Sequence, residues 1–303
     1  MSFSVDEMRR RAPAVRVVIA DVKGSVPRGV GTAMIVTDTG VFGTIGGGTL
    51  EFEAIRRARE VLVSGADRLD RVPLGPGVGQ CCGGAVTLVS EFWDSERLTG
   101  IGDVVARPLP GGGKEMSEVV RRAMTRGAGV SPGIVDGWMV EPVTRPERDI
   151  WVWGAGHVGR VLVGVMAPLP DFRIFWADFD EDRFPEVPEG VETLVAENPA
   201  DLVPLASDNA EHFVTTHSHA LDLELCHRLL SHGFRSAGLI GSETKWARFR
   251  SRLDALGHSA AEIARIDCPM GDPALGKHPQ AIALGVATGL IKAGAGEEAS
   301  ENR

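Results

Sequence analysis

Tyrosine is absent from this 303-residue chain, and only 6% of its residues are aromatic. The first absence removes every mechanism built on a tyrosine acid or base, the tyrosine–lysine dehydrogenases among them. Cysteine is scarce. Cys81, Cys82, Cys226 and Cys268 form no C-x-x-C pair, which argues against a zinc ribbon or an iron–sulfur cluster. Adjacent Cys81 and Cys82 would need a strained vicinal bridge, so reduced thiols are expected. No apolar run approaches the ~18 residues of a membrane span; the longest, Ala281 to Ile291, has the size of a helix. Asp6 and Glu7 stand before an arginine cluster with no apolar stretch behind it, a pattern unlike a signal peptide. The expectation is a soluble, cytoplasmic chain with no membrane partner. A basic excess is also lacking, since Lys and Arg number 32 against 41 Asp and Glu, a net charge of −9. Chains that hold nucleic acid by their surface field carry the opposite sign, so no nucleic-acid partner is expected. An anionic small ligand stays open where backbone amides and a few cations make a local positive pocket.

What the chain has in abundance is glycine, 38 residues, beside 18 prolines. With 43% hydrophobic and 24% charged residues, it reads as a globular protein long enough for two domains. The glycines then belong to tight turns and backbone-lined pockets. In the first half, Val15–Val22 reads as a strand ending in the loop Lys23 to Gly29. Gly31–Asp38 and Val41–Ile45 flank Thr39-Gly40, a candidate hairpin turn. Gly46-Gly47-Gly48 precedes a helix that Thr49 is placed to cap and Gly65 to stop. Leu50, Ala54, Ala58, Val61 and Leu62 keep one apolar face on it. Strands Leu69–Leu74 and Ala85–Trp93 enclose a second glycine-rich loop carrying Cys81-Cys82-Gly83-Gly84. Residues 94–132 are irregular around a helix at Glu115–Arg126, and Gly133–Glu141 reads as a last strand. The division expected is an α+β domain over 1–141, a linker over 142–148 and a second domain over 149–303.

The second half alternates strands and helices, the signature of a parallel α/β sheet. Strands are expected at Ile150–Trp153, Phe172–Ala177, Val191–Val195, His212–Thr216, Ala237–Ile240 and Ala264–Cys268. Helices are expected at His157–Met166, Ala220–His232, Thr244–Leu256 and Pro279–Lys292. Gly154, Gly156 and Gly159 fit G-x-G-x-x-G between the first strand and helix, and Asp178 ends the next strand 24 residues after Gly154. That context points to a Rossmann-like domain, with NAD(P) or another nucleotide as a possible occupant. His217 and His219, before Asp222, read as a metal fragment, as the polar wall of a cleft or as packing histidines, with Ser218 capping the helix. Gly241-Ser242-Glu243-Thr244-Lys245 suits an anion or simply a capped helix. Loops at the carboxyl ends of strands share one rim in such a sheet, so these segments and the Cys268–Lys277 loop are expected to line one cleft.

In the first half, the thiols of Cys81 and Cys82 sit among glycines and not in an apolar run. They read either as soft ligands for molybdenum, copper or a sulfur-bearing group, or as thiols packed under a turn. Gly83 and Gly84 permit close backbone approach. Gly46–Gly48 reads as an anion nest, with Arg28 as countercharge, or as a tight strand-to-helix crossing.

Gly24-Ser25-Val26-Pro27-Arg28, Gly43 to Glu51, and Gly79-Gln80-Cys81-Cys82-Gly83-Gly84 together resemble the N-terminal half of XdhC-type xanthine dehydrogenase accessory proteins. Val26 stands where the pattern has Thr. The second half is similar too, through the turn at Gly154, His219-Ala220-Leu221-Asp222, Gly238 to Ser242 with Lys245, and the Cys268–Lys277 loop. The resemblance covers nearly the whole chain outside 94–132. It implies a small α+β domain before a Rossmann-like one, and a molybdenum cofactor chaperone of purine catabolism without turnover of its own. Such a chaperone binds molybdopterin-type cofactor, supports its sulfuration with a cysteine desulfurase and delivers it to apo xanthine dehydrogenase, commonly as a homo-oligomer. In family terms Cys82 is the thiol that meets the metal, ahead of Cys81. The alternative is an NAD(P)-dependent oxidoreductase using the Gly154 loop, with His217 or His219 serving as acid.

Overall fold

The computed structural model describes residues 3–74, 83–113 and 115–301. The chain divides into two compact units, Met1–Arg145 and Pro146–Arg303. Among the described residues no helix is long and apolar enough to cross a membrane.

The first unit runs α1 (Val5–Arg11), β1 (Ala14–Lys23), β2 (Ala33–Val36), β3 (Val41–Gly43), α2 (Gly48–Ser64), β4 (Arg68–Pro73), β5 (Ala85–Trp93), β6 (Val104–Pro108), α3 (Glu118–Thr125), β7 (Gly133–Val135) and β8 (Trp138–Pro142). Five strands form an antiparallel sheet in the order β3-β2-β1-β5-β4, and β6-β8-β7 form a second sheet. β1 is buried on both faces because each face has a cover. Leu50, Ala54, Ala58 and Val61 of α2 pack on Val15, Val17 and Ile19. On the other side Val18, Ala20, Ala33 and Val89 meet Leu109 and Met139 of the second sheet region.

Several local expectations change. The β2–β3 turn centres on Asp38-Thr39, because Thr37 N–H bonds the Gly40 carbonyl at 2.9 Å. Thr49 does not cap α2; its N-cap is Gly47, without a side-chain bond, while Gly65 closes the helix in the left-handed region. The segment from Gly133 is two strands, since Asp136 (φ 45°) and Gly137 (φ 79°) make a two-residue hairpin between Val135 and Trp138. Asp-Gly between apolar residues is the sequence signal for such a turn. β6 lies inside the stretch read as irregular.

Four charges are buried together in this unit. Arg16 makes two 2.8 Å bonds to Glu141, Arg107 bonds Glu91 at 2.8 and 2.9 Å, and Arg107 also donates to Glu141. Burial raises the Glu141 pKa, but the two guanidiniums outweigh it and hold the carboxyl at about 2.

The second unit runs β9 (Arg148–Trp153), α4 (His157–Met166), β10 (Phe172–Asp178), β11 (Val191–Val195), β12 (Glu211–Val214), α5 (His219–His232), β13 (Ser236–Leu239), α6 (Glu243–Ala255), α7 (Ala260–Ile263), β14 (Ile266–Asp267) and α8 (Pro279–Glu301). Its six strands are all parallel, in the order β11-β10-β9-β12-β13-β14. The winding therefore reverses between β9 and β12, the switch point where open α/β sheets place ligands. Leu225 and Leu229 of α5, with Phe249 and Leu253 of α6, cover one face. Leu162 and Met166 of α4, with Ala283, Val286 and Leu290 of α8, cover the other. The whole is mixed α/β, a small N-terminal domain followed by a Rossmann-type parallel sheet. α8 extends past the expected Lys292 end.

His212 is buried in the first of these cores. Trp153 Nε1 donates to its Nδ1 at 3.2 Å; an indole only donates, so the ring proton sits on Nε2, which finds no acceptor. Burial, with a smaller push from His232, drives its pKa down to about 3.

Candidate functional site

Strand direction gathers the motifs of the first unit. In the antiparallel order β3-β2-β1-β5-β4, the chain leaves β1, β3 and β4 at one margin of the sheet. The Gly24–Arg28 loop, the Gly46–Gly48 loop and the segment leading into Gly83-Gly84 therefore share that margin. The approach is close. A Cβ on Gly84 would lie 2.4 Å from the Ser25 carbonyl oxygen and 2.5 Å from that of Lys23, and one on Gly24 would meet the Gly84 Cα at 3.2 Å. Gly46 (φ 127°) runs against the Pro27 and Arg28 side chains. Arg28 is exposed there. Cys81 and Cys82, with the rest of the loop over 75–82, lie outside the described residues.

The glycine nest already holds an anion of its own. Glu51 Oε2 accepts from Ile45 N–H at 2.9 Å, Gly47 N–H at 3.1 Å and the Thr44 hydroxyl at 2.5 Å. Burial opposes ionisation of Glu51, but the bonds from Thr44, Ile45, Gly47 and Gly46 prevail and hold its pKa below the ordinary carboxylate value. An acidic residue in the first turn of a helix that begins with glycines was the available sequence signal for this. Glu51 shapes the loop while α2 keeps an N-terminus that no side chain caps.

In the second unit the glycine loop fills the switch point. Gly154 (φ 108°) passes within 3.0 Å of Thr216 backbone atoms, measured from where its Cβ would stand, and a Cβ on Gly159 would lie 2.0 Å from the Gly154 carbonyl oxygen. Both positions need glycine. Thr215 Oγ1 and Trp176 Nε1 donate to that same carbonyl at 3.1 and 3.2 Å. Asp178 faces inward: it accepts from Ala155 N–H at 2.5 Å and Phe179 N–H at 2.8 Å. Its carboxylate braces the glycine loop. Gly156 is the N-cap of α4 and offers no side chain to the first-turn amides, so α4, like α2, starts with N–H groups suited to an anion.

Lys245 and Ser242 are likewise spoken for. Ser242 caps α6 through the Lys245 amide at 3.2 Å. Lys245 Nζ lies 2.5 Å from Asp222 and donates to the Ile240 carbonyl at 2.8 Å, while Thr216 Oγ1 donates to the other Asp222 oxygen at 2.7 Å. Asp222 is fully buried. This Thr216–Asp222–Lys245 group ties the loop after β12 to the loop after β13. Sequence spacing shows neither partner choice; only the parallel sheet brings residues 23 apart into contact. His217 lies beside Phe179, and His219 edges onto Phe249. Among the described residues no group of three or more His, Cys, Asp or Glu is placed to hold a metal. Cys226 is buried in the core and its thiol pKa is driven up chiefly by burial. Cys268 is half-buried, its Sγ 3.2 Å from where a Gly241 Cβ would stand; burial raises its pKa, Lys245 lowers it and Asp222 raises it, to about 11. Neither thiol is poised as a thiolate.

Comparison with known proteins bears on both units. Residues 150–290 match the model of the XdhC Rossmann domain, and residues 8–73 match that of the XdhC and CoxI family. The uncharacterized protein YqeB of Escherichia coli (strain K12) is 24% identical over 289 residues, covering 93% of this chain and 44% of that protein. The chain thus spans less than half the length of this relative. A crystal structure described as a xanthine dehydrogenase from Bacillus halodurans aligns with a TM-score of 0.63 at 20% identity, covering 96% of this chain and 95% of that one. At that identity the likeness is one of fold.

Proposed function

From its membership in the XdhC family, we propose that this chain is a maturation factor for xanthine dehydrogenase, one that binds molybdenum cofactor as cargo, supports its sulfuration and hands it to the apoenzyme. The observation that carries the reading is the convergence of the Gly24–Arg28, Gly46–Gly48 and Gly83-Gly84 segments at one margin of the first sheet, with no room for a side chain at Gly84. The cargo joins a phosphate to a soft, sulfur-rich metal centre, and the residues fit both ends. The first-turn amides of α2, which no side chain caps, and the exposed Arg28 suit the phosphate. Cys82, next in sequence to Gly83, supplies a thiol for the metal, with Cys81 as the lesser candidate. Once sulfurated, the cargo supplies the redox chemistry of the client enzyme. This chain's own residues bind, orient and shelter it. Asp178, Asp222 and Lys245 serve as braces in this reading, holding the rim of the second unit, and Gly156 leaves the α4 N-terminus open. A cysteine desulfurase as sulfur source, self-association and a cytoplasmic site of action belong to the same proposal.

The NAD(P)-dependent alternative has less support. The acid that would grip a ribose, Asp178, has both oxygens engaged by backbone amides of its own loops.

The test is retention of released molybdenum cofactor by the purified chain through gel filtration. Retention by the unaltered protein, reduced several-fold in Cys82→Ala and in Arg28→Ala, supports the reading. Undiminished retention by Cys82→Ala removes the thiol from the site, and no retention by the parent chain overturns the proposal.

A further inference from the structure

α6 carries a face that the proposed cofactor site does not use. Thr244, Ala247, Arg248, Ser251 and Arg252 follow one another at helical spacing on a single stripe, all are exposed, and together they border a shallow, open depression. The opposite stripe is core, through Phe249 and Leu253. Lys245, on the same helix, turns inward to Asp222. Arg248 and Arg252 take no ion pair among the described residues, and neither does Arg250 between them, whereas arginines such as Arg56, Arg173 and Arg228 each hold a carboxylate. Three arginines without a carboxylate thus stand on one helix of a chain whose net charge is −9. The nearby acids stand off the stripe: Glu243 precedes it, and Asp254 and Asp267 border the cleft that Arg250 enters with α7.

We infer that this stripe docks an acidic helix of a protein partner. Ala247 and Ser251, one turn apart, leave a shallow seat that lets a second helix approach closely. Arg248 and Arg252 flank the seat four residues apart, which matches carboxylates spaced one turn apart on the incoming helix. Two arginines on a strongly acidic chain make no extended field of the kind nucleic acid requires. The inference rests on the proposed function for its partner, the client dehydrogenase.

The experiment measures binding of the full chain to apo xanthine dehydrogenase by titration calorimetry at low and high ionic strength. Arg248→Glu/Arg252→Glu is compared with Arg59→Glu/Arg126→Glu, which changes charge equally at two other exposed, unpaired arginines. The expected result is at least a tenfold loss of affinity for the first pair, little change for the second, and a salt dependence that the first pair loses. Arg248→Gln/Arg252→Gln gives an intermediate loss, and circular dichroism confirms folding of each. Equal binding by parent and Arg248→Glu/Arg252→Glu overturns the docking face and leaves the client reading standing. No binding by the parent overturns both. Binding to phosphatidylserine vesicles that the variant loses, with dehydrogenase affinity unchanged, overturns the protein partner in favour of a lipid surface.

Discussion

Replacing Lys245 by Met tests whether this lysine binds ligand or braces the fold. Its ammonium is the counterion of a fully buried Asp222 at 2.5 Å. Removing one member of a buried pair leaves an uncompensated charge, and such changes destabilise by about 3–5 kcal/mol. With a urea m-value of about 2 kcal/mol/M, in the range for domains of this size, the unfolding midpoint of the second unit falls by roughly 1.5–2.5 M. Asp222→Asn/Lys245→Met removes both charges and keeps a group for the Thr216 hydroxyl to bond. It is expected to recover about 1–3 kcal/mol of the sum of the single losses, as coupled neighbours do. The assay is urea unfolding followed by tryptophan fluorescence, which reads the second unit through Trp151, Trp153 and Trp176, all nearly inaccessible to solvent. Because the chain has two units, the curve is fitted to two transitions. Lys245→Met within about 1 kcal/mol of the parent, or a double variant as unstable as the summed singles, would refute the brace.

Three further outcomes follow from the buried groups. Glu141, held at about 2 in the fold against 4.5 when unfolded, contributes stability that is complete above pH 4.5 and disappears as pH falls toward 2. At 1.36 kcal/mol per unit that is about 3 kcal/mol, and Glu141→Gln should flatten acid unfolding across that window. His212 is kept neutral down to about pH 3 in the fold, against 6.5 unfolded. Its contribution is therefore present above pH 6.5 and lost as pH drops below it, so His212→Phe should reduce the slope of stability with pH between 6.5 and 3. Gly159→Ala forces a methyl to 2.0 Å from the Gly154 carbonyl oxygen; the expected loss is about 3 kcal/mol or more, read as a fall in thermal midpoint, and an unchanged midpoint would contradict the packing.

Backbone features were largely legible. A β-branched run placed β1, the strand–helix alternation placed the parallel sheet, and His157–Met166 and Val191–Val195 form as expected. Gly154 and Gly65 announced turns because their left-handed conformation is a property of one residue. The Asp136-Gly137 hairpin carried the same kind of signal. The partners of polar groups were not legible in the same way. Asp178, Lys245 and the Gly46–Gly48 nest each had a ligand-binding reading, and each has a partner inside the fold, namely the Ala155 amide, Asp222 and Glu51.

Local chain stiffness and hydrophobic period act between neighbours, so the sequence alone determined most of the elements, their α/β class and the glycine loops, while short pieces such as α1, β6 and α7 did not stand out. Which charge meets which is settled between distant residues, as with Arg16 and Glu141, 125 positions apart. A carboxylate or ammonium gains most from whichever partner the packed sheet leaves within reach in a dry interior. That choice belongs to tertiary structure, and it separates the residues that brace the rims from those left open to a ligand or a partner.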